Sequence, residues 1–161
     1  MLIYLDSSAI VKRYIAEKGS ESIDFVYAGL EKDGDLQATF SAWNIGEVIG
    51  AIDTRKQRGD IDERSMVEAV GLFVGETRKF VAMRKLIVHP IGSKMLEESR
   101  DLIVKYHIYQ ADALQLATAR QSASTLILTA DRKLAECARS EGMEVANPEK
   151  DPSSIIDVLR K

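Results

Sequence analysis

Short, mostly apolar runs recur along this chain, and helix-length segments separate each from the next. The runs are Leu2–Leu5, Leu36–Phe40, Leu86–Val88, Leu126–Leu128 and Met143–Val145. A strand that alternates apolar and polar residues buries one face, whereas one that is apolar throughout buries both. Parallel strands also need long crossover connections, which the intervening segments supply. The pattern predicts an α/β fold: a three-layer sandwich with a central parallel sheet of about five strands and helices on both faces.

Helices are expected over Ala9–Ala16, Ser20–Lys32, Trp43–Arg58, Ser93–Tyr106, Tyr109–Ser122 and Arg132–Glu141. Another long helix should follow Asp60 and run to about Arg84, because Asp60 with Glu63 three residues on resembles a capping box. Gly19, the turn Asp33-Gly34-Asp35, Gly59, Pro90 and Gly142 punctuate the elements. Residues 1–147 read as one domain. Pro148 and Pro152 bracket a linker in a tail, 148–161, that ends in a short amphipathic helix at Ser154–Leu159.

Four carboxylates fall where such a sheet would gather them. Asp6 closes the first apolar run, and Asp131 follows the run TLILT and opens a helix. Asp112 lies in the first turn of DALQLATARQ, and Glu47 lies within WNIGEVIGAI. In open parallel sheets ligands bind beyond the carboxyl ends of the strands. Clustered carboxylates cannot all stay ionised without a cation, and an all-oxygen donor set suits Mg²⁺ or Mn²⁺. Each acid also has a plainer reading. Asp6 and Asp131 are good helix caps, and Asp112 suits the positive end of a helix dipole. Glu47 is the most telling, because its neighbours one turn away include Gly50 and Ala51. A carboxylate against small residues is costly unless paired or bound.

Around the acids, Ser7 and Thr129 are supporting hydroxyls that would otherwise cap helices. Asn44 is a further supporting candidate, or else a surface cap. Lys12, Arg13, Arg132 and Lys133 are candidate contacts to phosphates, against the ordinary reading of solvated helix surface. His89 and His107 have no partner at ligand spacing and read as structural. No glycine-rich phosphate loop is present.

Composition sets outer limits. With 45% hydrophobic and 29% charged residues, the chain should pack a core. Its 22 basic and 25 acidic residues give a net charge of −3, which does not advertise nucleic-acid binding. It does not exclude it either, since metal would neutralise the four acids. One cysteine, Cys137, leaves no internal disulfide and fits a reducing compartment. No run approaches the ~18 apolar residues of a membrane span. The chain opens directly on a strand, so a cytoplasmic location without membrane attachment is expected.

Taken in order, LDSSAIVKRY, NIGEVIGAI, YQADALQLATA and ILTADRKLAECARSEGMEV resemble the motifs of the PIN-domain family. The likeness is nearest to the VapC-like toxins of type II toxin–antitoxin pairs, and it spans Ile3 to about Val145. The resemblance implies a PIN-like, Rossmann-like sheet and a Mg²⁺- or Mn²⁺-dependent ribonuclease. By motif position Asp6, Glu47 and Asp112 match the three core acids, Asp131 the more variable fourth, and Ser7 the hydroxyl after the first. It also implies an RNA substrate, a homodimer and a cognate antitoxin.

The chemistry implied is metal-assisted hydrolysis of a phosphodiester, without a side-chain nucleophile. Either Asp112 or Asp131 would orient the attacking water. A dehalogenase-type phosphatase would need an acid two positions after Asp6, where Ser8 stands. A phospho-receiver would need an acidic pair at the end of the first strand and an acceptor aspartate after the third, where Pro90 follows His89. The remaining rivals are a non-catalytic PIN-fold scaffold and a housekeeping RNA-processing nuclease.

Overall fold

The computed structural model describes residues 1–32 and 34–159. Five strands form one sheet: β1 (Leu2–Leu5), β2 (Gln37–Ser41), β3 (Leu86–His89), β4 (Leu126–Leu128) and β5 (Val145–Ala146). Every pairing is parallel, and the order is β3-β2-β1-β4-β5. Ile3, Tyr4 and Leu5 of the central strand β1 are all buried, as are Leu126, Ile127 and Leu128 of β4 beside it. Helices cover both faces, as the sequence pattern predicts.

The connections are α1 (Ser7–Ile10), a 3₁₀ turn (Val11–Arg13), α2 (Ser20–Leu30), α3 (Ala42–Gln57), α4 (Glu63–Ala82), α5 (Ser93–Tyr106), α6 (Gln110–Gln121) and α7 (Arg132–Ser140). The final helix, α8, spans Pro152–Leu159. The chain steps outward from β1 to β2 to β3, then returns to β4 on the other side of β1. That reversal makes the gap between β1 and β4 a topological switch point, where open α/β sheets hold their ligands. Asp6 follows β1 there, and Thr129 follows β4.

Local chemistry moved several boundaries. The helix expected over Ala9–Ala16 begins at Ser7, because Asp6 caps it by accepting from Ser8 N, and it tightens to a 3₁₀ turn after Ile10. The cap of α4 is Asp62, which accepts from Ser65 N at 2.7 Å, so the expected Asp60–Glu63 box is not the one used. The fifth strand lies at Val145–Ala146 rather than Met143–Val145. The final helix starts at Pro152, whose missing N–H costs nothing in a first turn. Of the turn expected at Asp33-Gly34-Asp35, Asp33 lies outside the described residues, as do Arg160 and Lys161 of the tail.

The segment beyond 147 is packed onto the domain. Ile155 of α8 is fully buried, and Ser22 Oγ of α2 donates to the Pro148 carbonyl at 3.2 Å. Gly19 has φ +91°, and a Cβ there would stand 2.9 Å from the Pro148 carbonyl group. Only glycine permits both the left-handed backbone and this close approach.

Candidate active site

Asp6 enters the site directly from β1, with its backbone N–H bonded to the Leu128 carbonyl at 3.1 Å. Its side chain is buried and accepts from the Ser8 hydroxyl, from Ser8 N at 3.3 Å and from Thr129 Oγ1 at 2.7 Å. Thr129 in turn accepts from Asp131 N at 2.9 Å, and Ser8 Oγ accepts from Ala130 N at 2.9 Å. Two hydroxyls therefore tie the end of β1 to the loop after β4. Burial raises the Asp6 carboxyl above its ordinary range, and the hydrogen bonds from Ser8 and Thr129 oppose that rise.

Glu47 comes from the middle of α3. Its Oε2 accepts from Ser7 Oγ at 2.7 Å and from Gln115 Nε2 at 2.9 Å. Burial raises its pKa, against the Ser7 hydrogen bond, and the Asp6 charge raises it further. Asn44, one turn earlier on α3, organises this wall. Its Nδ2 donates to Ser7 Oγ and to Gln115 Oε1, both at 2.8 Å. Its Oδ1 accepts from Ser41 N at 2.9 Å, Ser41 Oγ at 2.7 Å and Tyr4 OH at 3.0 Å. A buried amide with every group paired holds α3 in one register relative to β1 and α6.

Asp112 projects from the first turn of α6 and is half-buried. Among the described residues it accepts no hydrogen bond. Its pKa is pushed up to about 6, first by burial and then by the charges of Asp131, Asp6 and Glu47. The four acids therefore share one electrostatic neighbourhood. Asp131 sits at its exposed side and caps α7, accepting from Leu134 N at 2.8 Å.

The donor set is all carboxylate and hydroxyl oxygen, which suits a hard divalent cation. Among the described residues no three acidic, imidazole or thiol side chains converge closely enough to ligate one ion together. Asp6 and Glu47 are instead held by the hydroxyls and amide beside them. This arrangement fits Mg²⁺, which keeps several waters and is commonly bound through one or two carboxylates. It does not fit a dedicated all-protein cage.

Two expected phosphate contacts are corrected. Lys12 is only 4% exposed and is paired with Glu17 at 2.7 Å and Glu149 at 2.6 Å. Arg13 is held by Asp24 and Glu76, at 2.7 and 2.8 Å. Both cations are committed to internal pairs because the 3₁₀ turn aims them at α2, α4 and the C-terminal segment. Arg132 and Lys133 remain exposed at the start of α7. His89 and Cys137 lie apart from the acids' hydrogen bonds; burial lowers the pKa of the first and raises that of the second.

Gln115 and Ser8 were not singled out by the sequence pattern. A signal for Gln115 existed, since it stands inside the mostly apolar run Ala113–Ala119, which the structure buries in the middle of α6. A polar residue in such a helix must find partners.

A parallel α/β domain with an acidic centre at its switch point has the form of the open sheets that bind ligands beyond their strand ends. The PIN domain family model matches residues 3–140, and the chain belongs to that family. A comparison with curated protein sequences finds no match. Solved structures share the fold. Mycobacterium tuberculosis VapC20, described as a sarcin–ricin-loop-cleaving toxin, has a TM-score of 0.59 at 14% identity, covering 83% of this chain and 93% of its own. Rickettsia felis VapBC2, bound to a DNA fragment from its promoter, has a TM-score of 0.63 at 13% identity over 91% and 98% of the two chains. Neisseria gonorrhoeae FitAcB has a TM-score of 0.64 at 17% identity over 92% and 99%. Among the described residues no helix is long and apolar enough to cross a membrane.

Proposed function

We propose that this chain is a divalent-metal-dependent endoribonuclease and the toxin partner of a toxin–antitoxin pair. The observation that carries the nuclease reading is the placing of Asp112 at the switch-point edge of the sheet, where burial and then the charges of Asp131, Asp6 and Glu47 push its pKa up to about 6. A carboxyl raised by burial and by neighbouring acids gains from a cation when ionised. The toxin reading rests on structural likeness to VapC20 and to toxin–antitoxin assemblies. It brings with it an antitoxin partner, a homodimer and a cytoplasmic setting.

In this reading Asp6, Glu47, Asp112 and Asp131 hold Mg²⁺ or Mn²⁺, partly through water. The ion supplies a more acidic bound water and neutralises charge developing on the phosphate. Ser8 and Thr129 fix Asp6, while Ser7 and Gln115 fix Glu47, so two acids are oriented before substrate arrives. Asp112 orients the attacking water. It is preferred to Asp131, because Asp131 Oδ1 is already committed to Leu134 N. Arg132 and Lys133 face the phosphates.

Cleavage of single-stranded RNA by purified protein with Mn²⁺, lost on chelation and in Asp112→Asn, is the expected result. Equal cleavage by wild type and by Asp6→Asn and Asp112→Asn would remove the acids from the chemistry. The rival reading, a non-catalytic scaffold, is favoured by the lack of three converging ligands. It requires that Mn²⁺ leave the melting temperature unmoved.

A further inference from the structure

Two large aromatic side chains stand exposed beside the acids, one on each flanking helix. Trp43 lies in the first turn of α3, one turn before Glu47, and is 44% exposed. Tyr109 is the N-cap residue of α6, one turn before Asp112, and is 85% exposed. The start of α3 follows directly on the end of β2, and α6 runs down to the start of β4. Both helices therefore open at the carboxyl edge of the sheet, where the acids form the floor and the aromatics the rim.

Folding does not account for either ring. Tyr109 makes no side-chain cap bond, and its hydroxyl has no hydrogen bond among the described residues. Trp43 is the chain's one tryptophan and is kept out of the core. Its side chain lies near enough to Glu47 to oppose the rise of that carboxyl's pKa, which sets the indole beside the acid. The separation of α3 and α6 is fixed by the Asn44–Gln115 and Gln115–Glu47 hydrogen bonds. The same network that orients Glu47 thus spaces the two rings.

We propose that Trp43 and Tyr109 are base-stacking platforms that hold the unpaired bases flanking the scissile phosphate, so that the site takes single-stranded nucleic acid. This rests on the nuclease reading of the acids. Stacking is sequence-tolerant, because every base has a π-face, and it is available only to bases not already stacked in a duplex. The charge distribution near Asp6 leaves room for such a contribution. The protein carries a net charge of −3, and Lys12 and Arg13 are consumed by internal ion pairs. Those two cations, which follow Asp6 closely in the chain, are not free to bind a phosphate backbone through counterion release. Rings at the rim supply affinity that charge does not.

Trp43 emission reports directly on its own ring, since no other tryptophan contributes. The test titrates the full chain, in EDTA to prevent hydrolysis, with three probes. These are a single-stranded RNA oligonucleotide, the same sequence as a duplex, and an abasic ribose–phosphate chain of equal length. Single-stranded RNA should quench Trp43, and the abasic chain should not. Trp43→Leu and Tyr109→Leu should each weaken single-strand binding by about tenfold, within the range reported for one stacked base. Trp43→Phe and Tyr109→Phe should stay within about threefold of wild type. All four variants should bind the abasic chain as wild type does.

Single-strand affinity unchanged in both leucine variants overturns the proposal. So does equal affinity for RNA and the abasic chain. Leucine variants that bind RNA normally but lose self-association would assign the rings to a protein interface, again overturning it. Mn²⁺-dependent cleavage with no role for the rings would spare the nuclease reading. Quenching without any cleavage would spare the platforms and remove the nuclease.

Discussion

The side-chain amide of Gln115 donates to the Glu47 carboxylate at 2.9 Å, joining α6 to α3 beside the acids. Its carbonyl accepts from Asn44 at 2.8 Å, so both ends of the amide are engaged in a buried setting. Gln115→Ala would leave Asn44 Nδ2 and Glu47 each short of a partner. Unsatisfied buried groups cost about 1–3 kcal/mol. We expect a loss of stability of that order in urea unfolding. A fall in kcat larger than any rise in KM should accompany it, because Gln115 positions an acid rather than binding substrate. Normal activity at temperatures where the variant is fully folded would reduce Gln115 to a packing residue.

Asp112 should make the metal-free protein pH-dependent. Its folded value of about 6 lies above the ordinary 3.8. The native state therefore holds the proton more tightly than the unfolded chain across that interval. Stability from this group is fully present below about pH 3.8 and is lost as pH rises to about 6. In EDTA, wild-type stability should decline between these limits more steeply than that of Asp112→Asn. The variant should melt higher than wild type at pH 7. An Asp112→Asn protein that is less stable than wild type at pH 7 in EDTA would show that the acids do not repel one another.

Asp6 should behave differently, although it belongs to the same cluster. Its side chain caps α1 and accepts from Ser8 and Thr129. Asp6→Asn relieves repulsion but weakens those charge-assisted bonds, worth ~1.5–3 kcal/mol each when the acceptor is ionised. The gain in apo melting temperature should be smaller than for Asp112→Asn, or reversed. Mn²⁺ at a hundredfold excess over its dissociation constant should stabilise wild type by about 2.7 kcal/mol. Both variants should lose most of that. Equal Mn²⁺ stabilisation in wild type and Asp6→Asn would place the ion elsewhere.

The parts of this fold that follow from burial on both faces were legible in the sequence. Leu2–Leu5 and Leu126–Leu128 are strands with the bounds their apolar runs predict. That Asp6, Asp112 and Asp131 lie at one edge of the sheet also follows from strand ends and helix starts, whereas Glu47, in the middle of α3, was marked only by the small residues one turn away. What was hidden depends on contacts distant in sequence. Lys12 reads as a surface lysine near the first acid, but Glu149, 137 positions away, takes its charge. Gln115 matters only because α6 lies against Asn44 and Glu47. The cap of α4 turned on a choice between Asp60 and Asp62, two acids near one helix start that local pattern does not separate.

The C-terminal segment gives a stability test independent of the acids. Gly19→Ala would force a Cβ to 2.9 Å from the Pro148 backbone, at a φ of +91° that side chains rarely adopt. Both effects oppose the native state, and the loss should exceed about 1 kcal/mol. Because the clash lies at the foot of the segment carrying α8, cleavage by added protease after residue 147 should accelerate. A variant that melts as wild type does and resists protease equally would mean the segment is not held at Gly19.

The last expectation concerns assembly. Phe73 and Phe80 of α4 are buried within the chain, so they are not the surface that a partner would cover. Val67, Val70, Val74 and Val81 follow at steps of three, four and seven, which places them along one flank of that helix. Val67 and Val81 are exposed, at 59% and 45%, and Val70 and Val74 are half-buried. An apolar stripe of this kind is a candidate for pairing with a second copy, since apolar patches at a surface mark interfaces. Light scattering over a concentration series should give a dimer for wild type. Val81→Glu puts a charge into the stripe at a position that the folded monomer leaves accessible. It should shift the equilibrium to monomer while leaving the apo unfolding free energy at low protein concentration within about 0.5 kcal/mol of wild type. A wild type that stays monomeric at high micromolar concentration would refute pairing through α4, and the acidic site would then be complete in one chain.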